Sequence, residues 1–231
     1  MPEKIVIILG DTGGLGKAFA QAFSAAGDIV FGASRTLIAP SDTTYNRHQV
    51  DVTDEADVIK YVSYFREQAI TPDIVLNCAG VMDQSLLVMS SKDNFLKVFM
   101  TNVLGAFLVN REFAKLLMPK KKGLIVNFSS IHVEAATVGS GAYASSKSAI
   151  ETLTRVFSAE LASTDVKSCC IALSYVKDNG MAAGVSEQVM DSVLKKGPSR
   201  RAISFEEVFQ IVCDVADRKI DLTDPVLKLG I

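Results

Sequence analysis

Short apolar segments alternate with longer amphipathic segments along nearly the whole chain, and this order limits the possible folds more than any other feature. Segment Lys4–Leu9 (KIVIIL) is apolar at almost every position, as expected for a strand that is buried on both faces of a sheet. A helical pattern follows over Leu15–Ala26, and a second strand pattern covers Ile29–Ala33. Repetition of this order predicts an α/β fold: a doubly wound parallel sheet with right-handed crossovers and helices on both faces.

Seven strands are predicted in this way, and we expect them to form one sheet. The third strand ends over Gln49–Val52. The four later strands cover Asp73–Asn77, Leu124–Phe128, Val166–Leu173 and Val226–Leu229. The helices after the first cover about 53–69, 92–118, 143–163, 184–195 and 204–217. Thr53 is the expected N-cap of the second helix.

The composition fits one folded domain. The chain has 231 residues, of which 48% are hydrophobic and 22% are charged, so a core can form without disulfides or metal. No linker, repeat or low-complexity stretch interrupts it, and we expect one domain over 1–231. The least regular segment, 174–198, is long enough to serve as a substrate lid.

Charge and hydropathy exclude several classes of partner. The net charge is −2, so no basic surplus is available to neutralise nucleic-acid phosphates. No apolar run approaches the roughly 20 residues of a membrane-spanning helix, and the N-terminus shows no secretory signal pattern. The four cysteines and two histidines lack metal-ligand spacing, so we expect reduced thiols and no metal site. These features predict a cytoplasmic protein that binds neither nucleic acid nor membranes.

A glycine-rich turn at 10–16 joins the first strand to the first helix. Glycines let the backbone turn sharply and let a pyrophosphate approach the helix N-terminus, where free N–H groups and the helix dipole favour anions. The alternative is a plain strand-to-helix turn. Asp11 is unfavourable beside a phosphate, and we expect its side chain to point away. The residues of this candidate dinucleotide site are Gly10, Thr12, Gly14, Leu15 and Gly16.

The tip of the second strand carries residues that choose between the two nicotinamide cofactors. An acid there would bond the ribose hydroxyls of NAD and repel a 2′-phosphate, but the chain has Ser34 and Arg35 instead. Arg35 can pair with a 2′-phosphate and Ser34 can donate to it, which favours NADP(H) over NAD. The alternative for Arg35 is a solvated surface side chain.

We expect the ends of two further strands at the same cofactor-binding crevice, which lies at the carboxyl ends of the parallel strands. Asp51 and Val52 follow the third strand, where they either meet the adenine or start the next helix. Asn77 closes the fourth strand ahead of Ala79 and Gly80, whose small size lets the backbone approach a ribose. We expect Asn77 to tie neighbouring strands together at the cofactor crevice.

Tyr143 and Lys147 lie four residues apart at the start of the long helix after the fifth strand, so they share one helix face. A neighbouring cation, together with the positive ring of a bound oxidised nicotinamide, stabilises a phenolate and lowers the phenol pKa from about 10. Ser130 ends the fifth strand and can hydrogen-bond the same substrate oxygen. The three side chains together predict proton transfer by Tyr143, whereas a Tyr-x-x-x-Lys spacing alone is common on any helix.

In combination, these motifs resemble those of the short-chain dehydrogenases/reductases in their compact single-domain form, from Ile5 to about Leu229. The resemblance implies a Rossmann fold and a catalytic set of Asn102, Ser130, Tyr143 and Lys147. In that set, Tyr143 is the general acid/base and Ser130 orients the substrate oxygen. Lys147 holds the nicotinamide ribose and lowers the tyrosine pKa, and Asn102 positions a water that relays protons to Lys147.

The chain departs from the usual pattern of this family after the sixth strand, where Leu173–Asn179 replaces a Pro-Gly and a threonine. The resemblance implies that Val176 still offers its backbone to the nicotinamide carboxamide. Leu9 stands where the family usually has threonine. His132 either borders the substrate or is a loop histidine that faces solvent. Tyr175 either contacts substrate from a lid or packs inside.

The resemblance implies an NADP(H)-dependent oxidoreductase that transfers a hydride between nicotinamide and a carbonyl or secondary alcohol substrate. The alternatives are a nucleotide-sugar epimerase or dehydratase, and a non-catalytic NADP-binding regulator or scaffold. The helices predicted over 92–118 and 143–163 carry more apolar residues than one sheet face can cover. We therefore expect a homodimer through these helices, or a homotetramer.

Overall fold

The computed structural model describes residues 3–36, 44–177 and 201–230, together with the single positions 188, 191, 194 and 195. Its strands are β1 (Ile5–Leu9), β2 (Ile29–Ser34), β3 (Asn46–Gln49), β4 (Ile74–Asn77), β5 (Leu124–Ser130), β6 (Lys167–Leu173) and β7 (Val226–Leu229). All neighbouring strands are parallel and lie in the order β3-β2-β1-β4-β5-β6-β7. The predicted seven-stranded parallel sheet is therefore confirmed.

Helices connect the strands across both faces of the sheet. The helices are α1 (Gly14–Ala25), α2 (Glu55–Glu67), α3 (Lys92–Phe99), α4 (Gly105–Leu117), α5 (His132–Ala135), α6 (Gly141–Glu160) and α7 (Phe205–Ala216). A π-helical segment, Met100–Leu104, joins α3 to α4, so one long helical rod spans 92–117 as the sequence predicts. The helix expected over 184–195 and the lid expected over 174–198 lie largely outside the described residues.

Alternate residues of each central strand enter two separate cores, which explains the unbroken apolar run of β1. Ile7 and Leu9 face α2 and α4, where Phe65 and Phe113 are fully buried. Ile8 lies on the opposite face, in the core formed with α1 and α7. Burial of a large aliphatic or aromatic side chain contributes roughly 1.5–3 kcal/mol, so both cores hold the sheet in place. The rigid sheet in turn fixes the loops at the carboxyl ends of its strands.

Two boundaries near the third strand differ from the sequence prediction. The strand ends at Gln49 instead of extending over Gln49–Val52. The N-cap of α2 is Asp54, whose carboxylate accepts from the backbone N–H groups of Ala56 and Asp57. Thr53 is not the cap, because its own N–H and hydroxyl both donate to the carboxylate of Asp51.

None of the helices in the described ranges is long and apolar enough to span a membrane.

Candidate active site

The glycine-rich turn brings the end of β1 against the segment that follows β4. Gly10 has φ +83°, and a Cβ built on it would lie 2.8 Å from the backbone nitrogen of Ala79. A Cβ on Gly16 would lie 2.3 Å from the carbonyl oxygen of Gly10, so α1 starts in direct contact with the turn. No side chain caps α1, whose first-turn N–H groups are left for another acceptor. The turn thus forms the cradle that an anionic pyrophosphate requires.

Asp11 does not face this cradle. Its carboxylate accepts two hydrogen bonds from Arg47, at 2.5 Å from Nε and 2.9 Å from Nη2, and a third from the hydroxyl of Tyr45 at 3.1 Å. These partners lie in or just before β3, so the side chain points away from the pyrophosphate position, as expected. Arg47 is a residue that the sequence analysis missed, because nothing in the polar segment NRHQ indicates its distant partner.

Ser34 and Arg35 lie at the tip of β2, as predicted. Arg35 is exposed and Ser34 is buried. The Ser34 hydroxyl donates to the carbonyl of Thr36 at 2.9 Å and accepts from Nη2 of Arg47 at 2.9 Å. The tip therefore offers one exposed cation and one hydroxyl that is already oriented by a second cation.

The two residues after β3 have structural partners in the turn that leads to α2 and on α4. The Asp51 carboxylate accepts from the N–H of Thr53 at 2.9 Å and from its hydroxyl at 2.8 Å. Val52 is buried against α4, where a Cβ on Gly105 would lie 2.9 Å from Val52 Cγ2. The described geometry thus gives Asp51 and Val52 structural partners and leaves an adenine contact as a proposal.

Asn77 ties two neighbouring strands together. Its Nδ2 donates to Oδ1 of Asn127 on β5 at 3.2 Å, and Nδ2 of Asn127 donates to the hydroxyl of Thr154 on α6 at 3.4 Å. The Asn77 Oδ1 atom is buried and has no partner. The amide chain links β4, β5 and α6 beneath the candidate site.

Ser130, Tyr143 and Lys147 come together where β5 ends and α6 begins. All three are buried, with exposed fractions of 8%, 5% and 5% respectively. The Ser130 hydroxyl lies close enough to the Tyr143 phenol to lower its pKa. The Lys147 Nζ lies 5.5 Å from the centre of the Tyr143 ring and donates to the carbonyl of Phe128 at 2.8 Å. The predicted tyrosine, lysine and serine therefore form one contact set.

Burial dominates the protonation of this contact set. It raises the pKa of Tyr143 to about 12, and the Ser130 hydroxyl opposes it. It lowers the pKa of Lys147 to about 8. The lowered tyrosine pKa expected from the sequence is not found in the protein alone. The reason is that burial disfavours the phenolate, while the Lys147 ammonium lies over the ring and donates to the carbonyl of Phe128.

The π-helical segment places Asn102 beside the same contact set. Asn102 Nδ2 donates to the carbonyl of Val81 and to the hydroxyl of Ser146, both at 2.9 Å, and its Oδ1 accepts from the N–H of Val81 at 2.8 Å. A Cβ on Gly80 would lie 3.5 Å from Asn102 Oδ1 and 3.6 Å from Lys147 Nζ. The structure thus brings Asn102, Gly80 and Lys147 together.

His132 packs directly on the predicted catalytic tyrosine. Its ring lies 5.7 Å from that of Tyr143 in an edge-on arrangement, and its backbone N–H donates to the Ser130 hydroxyl at 3.3 Å. The Nδ1 atom is buried without a partner, and burial lowers the pKa of the imidazole. His132 is therefore part of the site wall rather than a solvent-facing loop residue.

The segment after β6 is fixed by a short bridge to the strand-like stretch before α7. The N–H of Lys177 donates to the carbonyl of Ile203, and the N–H of Ile203 donates to the carbonyl of Tyr175. In extended backbone this leaves the N–H and carbonyl of Val176 pointing away from Ile203. Asp178 and Asn179, which replace the usual threonine of the family, lie outside the described residues.

Comparison with known proteins shows the family. A model of the short chain dehydrogenases matches residues 4–190. The chain is 35% identical over 145 residues to a short-chain type dehydrogenase/reductase of Picea abies. This aligned segment covers 62% of this chain and 54% of that protein. It is 32% identical over 167 residues to an NADPH-dependent pterin aldehyde reductase of Arabidopsis thaliana, covering 68% of this chain and 69% of that protein. The ligand-free aldohexose dehydrogenase of Thermoplasma acidophilum aligns with a TM-score of 0.83 at 20% identity, covering 99% and 93% of the two chains.

The chain therefore belongs to the short-chain dehydrogenase/reductase family. It is an oxidoreductase of that family, whose members bind a nicotinamide cofactor, generally act on small molecules and often form oligomers. The Rossmann architecture and the glycine cradle at Gly10 and Gly16 fit such a cofactor.

Among the described residues, no group of three or more His, Cys, Asp or Glu side chains could hold a metal ion.

Proposed function

We propose that this chain is an NADP(H)-dependent oxidoreductase that moves a hydride between nicotinamide and the carbon of a carbonyl or secondary alcohol. The buried contact set of Ser130, Tyr143 and Lys147 is the main support for this proposal. It is connected to the glycine-rich turn by close packing, since Gly10 abuts Ala79 and the next residue, Gly80, abuts Lys147. A dinucleotide on the turn would thus reach the tyrosine with its other end.

Four parts of the cofactor, which supplies or accepts the hydride when bound, would each be held by residues of this chain. The first turn of α1 would hold the pyrophosphate. Ser34 and Arg35 would hold the 2′-phosphate, and Lys147 the nicotinamide ribose. The backbone of Val176 would hold the carboxamide. The NADPH-dependent relative from Arabidopsis thaliana supports the choice of the phosphorylated cofactor.

Tyr143 holds the proton that balances the hydride. Because its pKa is raised to about 12, the phenol is protonated at neutral pH and can donate to a carbonyl oxygen as that oxygen gains negative charge. Ser130, which lies beside the phenol, would orient the same oxygen. In the oxidation direction the Tyr143 phenolate would accept the proton of the alcohol. Because Lys147 does not lower the phenol pKa in the protein alone, formation of the phenolate would depend on the positive nicotinamide ring of the bound oxidised cofactor.

Asn102 and Lys147 would exchange the proton of Tyr143 with solvent, replacing it after carbonyl reduction and removing it after alcohol oxidation. The Asn102 side chain is fixed by three hydrogen bonds, and both it and the Lys147 ammonium border Gly80. A fixed amide beside an ammonium is an arrangement that can position a water for proton transfer.

We further propose that residues 1–231 act as one domain, that 174–198 covers the substrate, and that two copies pair through α4 and α6. A groove of about 450 Å³ runs between these two helices, and Phe107, Leu153 and Phe157 line it. An apolar groove on two long helices is well suited to the same surface of a second copy.

Turnover tests the proposal. Purified protein is incubated with NADPH and a broad panel of ketones and aldehydes, and oxidation of NADPH is followed by absorbance. We expect at least one carbonyl substrate to be reduced and the corresponding alcohol to be oxidised with NADP⁺. Tight NADPH binding with no turnover of any carbonyl or alcohol would instead support a non-catalytic regulator.

A further inference from the structure

A buried ion pair connects the glycine-rich turn to the third strand. The side chains of Asp11 and Arg47 are 0% and 5% exposed, and the pair has side-on geometry. A buried ion pair contributes little net stability compared with apolar packing, because both charges lose their hydration. Its position between two elements of the cofactor crevice therefore suggests a role in binding.

The guanidinium of Arg47 is only partly used by Asp11. Its Nη2 also donates to the Ser34 hydroxyl at 2.9 Å and to the carbonyl of Thr36 at 3.3 Å. Its Nη1 is buried and has no hydrogen-bond partner. An unpaired buried donor is unfavourable, and more so when it belongs to a charged group. The arrangement thus contains a cation with two N–H groups that lack an acceptor.

The strand register explains how this pair reaches across the sheet. Ile8 on β1 pairs with Gly32 on β2, which pairs with Arg47 on β3. A Cβ on Gly32 would lie 2.3 Å from Oδ2 of Asp11, so only glycine leaves room for the carboxylate. The pair consequently lies at the ends of β1 and β2, where an adenosine ribose binds in this class of fold.

We propose that Arg47 is a second residue that selects the phosphorylated cofactor, acting through Ser34 and through its unpaired Nη1 group. This inference rests on the proposed use of NADP(H). The Ser34 hydroxyl turns from the Thr36 carbonyl to a 2′-phosphate oxygen and continues to accept from Arg47. When the turn at 34–36 moves, a 2′-phosphate oxygen becomes the missing acceptor of the Nη1 group. Asp11 holds the guanidinium in place, because its carboxylate accepts from both Nε and Nη2.

Binding of cofactor fragments isolates this effect from catalysis. The full chain is titrated calorimetrically with 2′,5′-ADP and with 5′-AMP, which differ only in the 2′-phosphate. We expect the wild-type protein to bind 2′,5′-ADP more tightly. In the double variant Asp11→Asn/Arg47→Gln, which removes both charges together, we expect this preference to fall by about ten- to hundredfold, the range of one or two charge-assisted hydrogen bonds. The affinity for 5′-AMP should change little.

A matched control neutralises an exposed ion pair at the opposite end of the sheet. In Asp165→Asn/Arg218→Gln, which removes such a pair, the preference should equal that of the wild type. Arg47→Lys provides a second test that keeps a cation beside Asp11 and therefore favours folding. The substitution removes Nη1 and the Nη2 group that donates to Ser34, so the preference for 2′,5′-ADP over 5′-AMP should fall several-fold.

The outcomes separate this inference from the cofactor proposal. If folded double and Arg47→Lys variants keep the wild-type preference while Arg35→Ala loses it, Arg47 plays no part and the cofactor proposal stands. If the wild-type protein itself binds both fragments equally, the choice of NADP(H) and the role of Arg47 are both wrong.

Discussion

Arg35 is the exposed cation at the end of β2, next to the hydroxyl of Ser34. If it pairs with the 2′-phosphate, wild-type protein should bind NADPH at least several-fold more tightly than NADH. Arg35→Ala should reduce that gap, because one bidentate charge-assisted contact contributes about 1.5–3 kcal/mol, or roughly ten- to hundredfold in affinity. Fluorescence titration of both cofactors measures the gap, with Arg66→Ala on α2 as the control. Equal affinities for the two cofactors in the wild type would contradict the assignment.

At the residue scale, the sequence identified contacts that are local and missed contacts that cross the sheet. Tyr143 and Lys147 are one helical turn apart, so their spacing alone places them together. Arg47 is 36 residues from Asp11 and lies in a short polar strand, so no periodic pattern relates the two. The same applies to His132, whose packing on Tyr143 depends on the short helix α5, which the sequence did not predict.

The glycine-rich turn is the element on which the cofactor site depends. Gly16→Ala would place a Cβ 2.3 Å from the Gly10 carbonyl, which only a backbone shift can relieve. We expect it to lower the free energy of unfolding by about 1–3 kcal/mol and to abolish measurable NADPH binding. Gly13→Ala is the control, since its Cβ would lie 3.5 Å from the same oxygen and its φ of −81° suits alanine. Urea unfolding and cofactor titration check both variants, and equal losses would refute the clash as the cause.

A second element-scale prediction concerns the aromatic cluster around β3. His48 packs against Tyr61 and Tyr64, with ring centres 5.1 and 4.9 Å away. Burial lowers the pKa of His48 and of His132, the only other histidine in the chain. The unfolded chain therefore takes up protons at a higher pH than the folded chain. The stability that the two neutral histidines contribute is fully present above about pH 6.5. It is lost as the pH falls through their pKa values in the folded state.

Urea unfolding at pH 7.5 and pH 5.5 measures this effect. We expect a lower free energy of unfolding at pH 5.5, a smaller difference in His48→Gln, and almost none in the His48→Gln/His132→Gln double variant. The carboxylates with lowered pKa, such as Glu112, titrate below this window. An unchanged difference in the double variant would show that other groups cause the pH dependence.

The helical segment 92–117 contains a feature that its sequence pattern does not predict. The 92–117 rod was predicted as one helix, and the structure contains one, but with a π-helical turn at Met100–Leu104. No residue type marks that turn, and it is the turn that carries Asn102 to the site. The role of Asn102 was accessible only through the family resemblance, because its partners Val81 and Ser146 come from distant parts of the chain.

For the whole molecule, the sheet could be predicted because buried parallel strands leave short apolar runs, which β1, β2, β4, β5 and β6 show. Strand β3 is polar, and its end was placed too late. Tertiary contacts at the substrate side could not be predicted, since they depend on 174–198, which has no periodic pattern and lies largely outside the described residues.

Assembly is predicted at this scale. With a chain mass of 24.8 kDa, light scattering at micromolar concentration should give at least twice that value. Val156→Asp changes a half-exposed apolar side chain in the groove between α4 and α6, and should produce monomers. Ile59→Asp, a similar change on α2, should not. A stable, active wild-type species of single-chain mass would refute the dimer.

The central claim is that Tyr143 moves the proton that accompanies hydride transfer. Stopped-flow or steady-state measurement of kcat in Tyr143→Phe tests it directly, once a substrate from the carbonyl panel is in hand. We predict a loss of about 10²–10⁴-fold in kcat with NADPH affinity nearly unchanged, because the phenol acts on the substrate oxygen. Tyr64→Phe, which removes a phenol from the distant aromatic cluster, should keep wild-type turnover. Near-wild-type kcat in Tyr143→Phe would contradict the account.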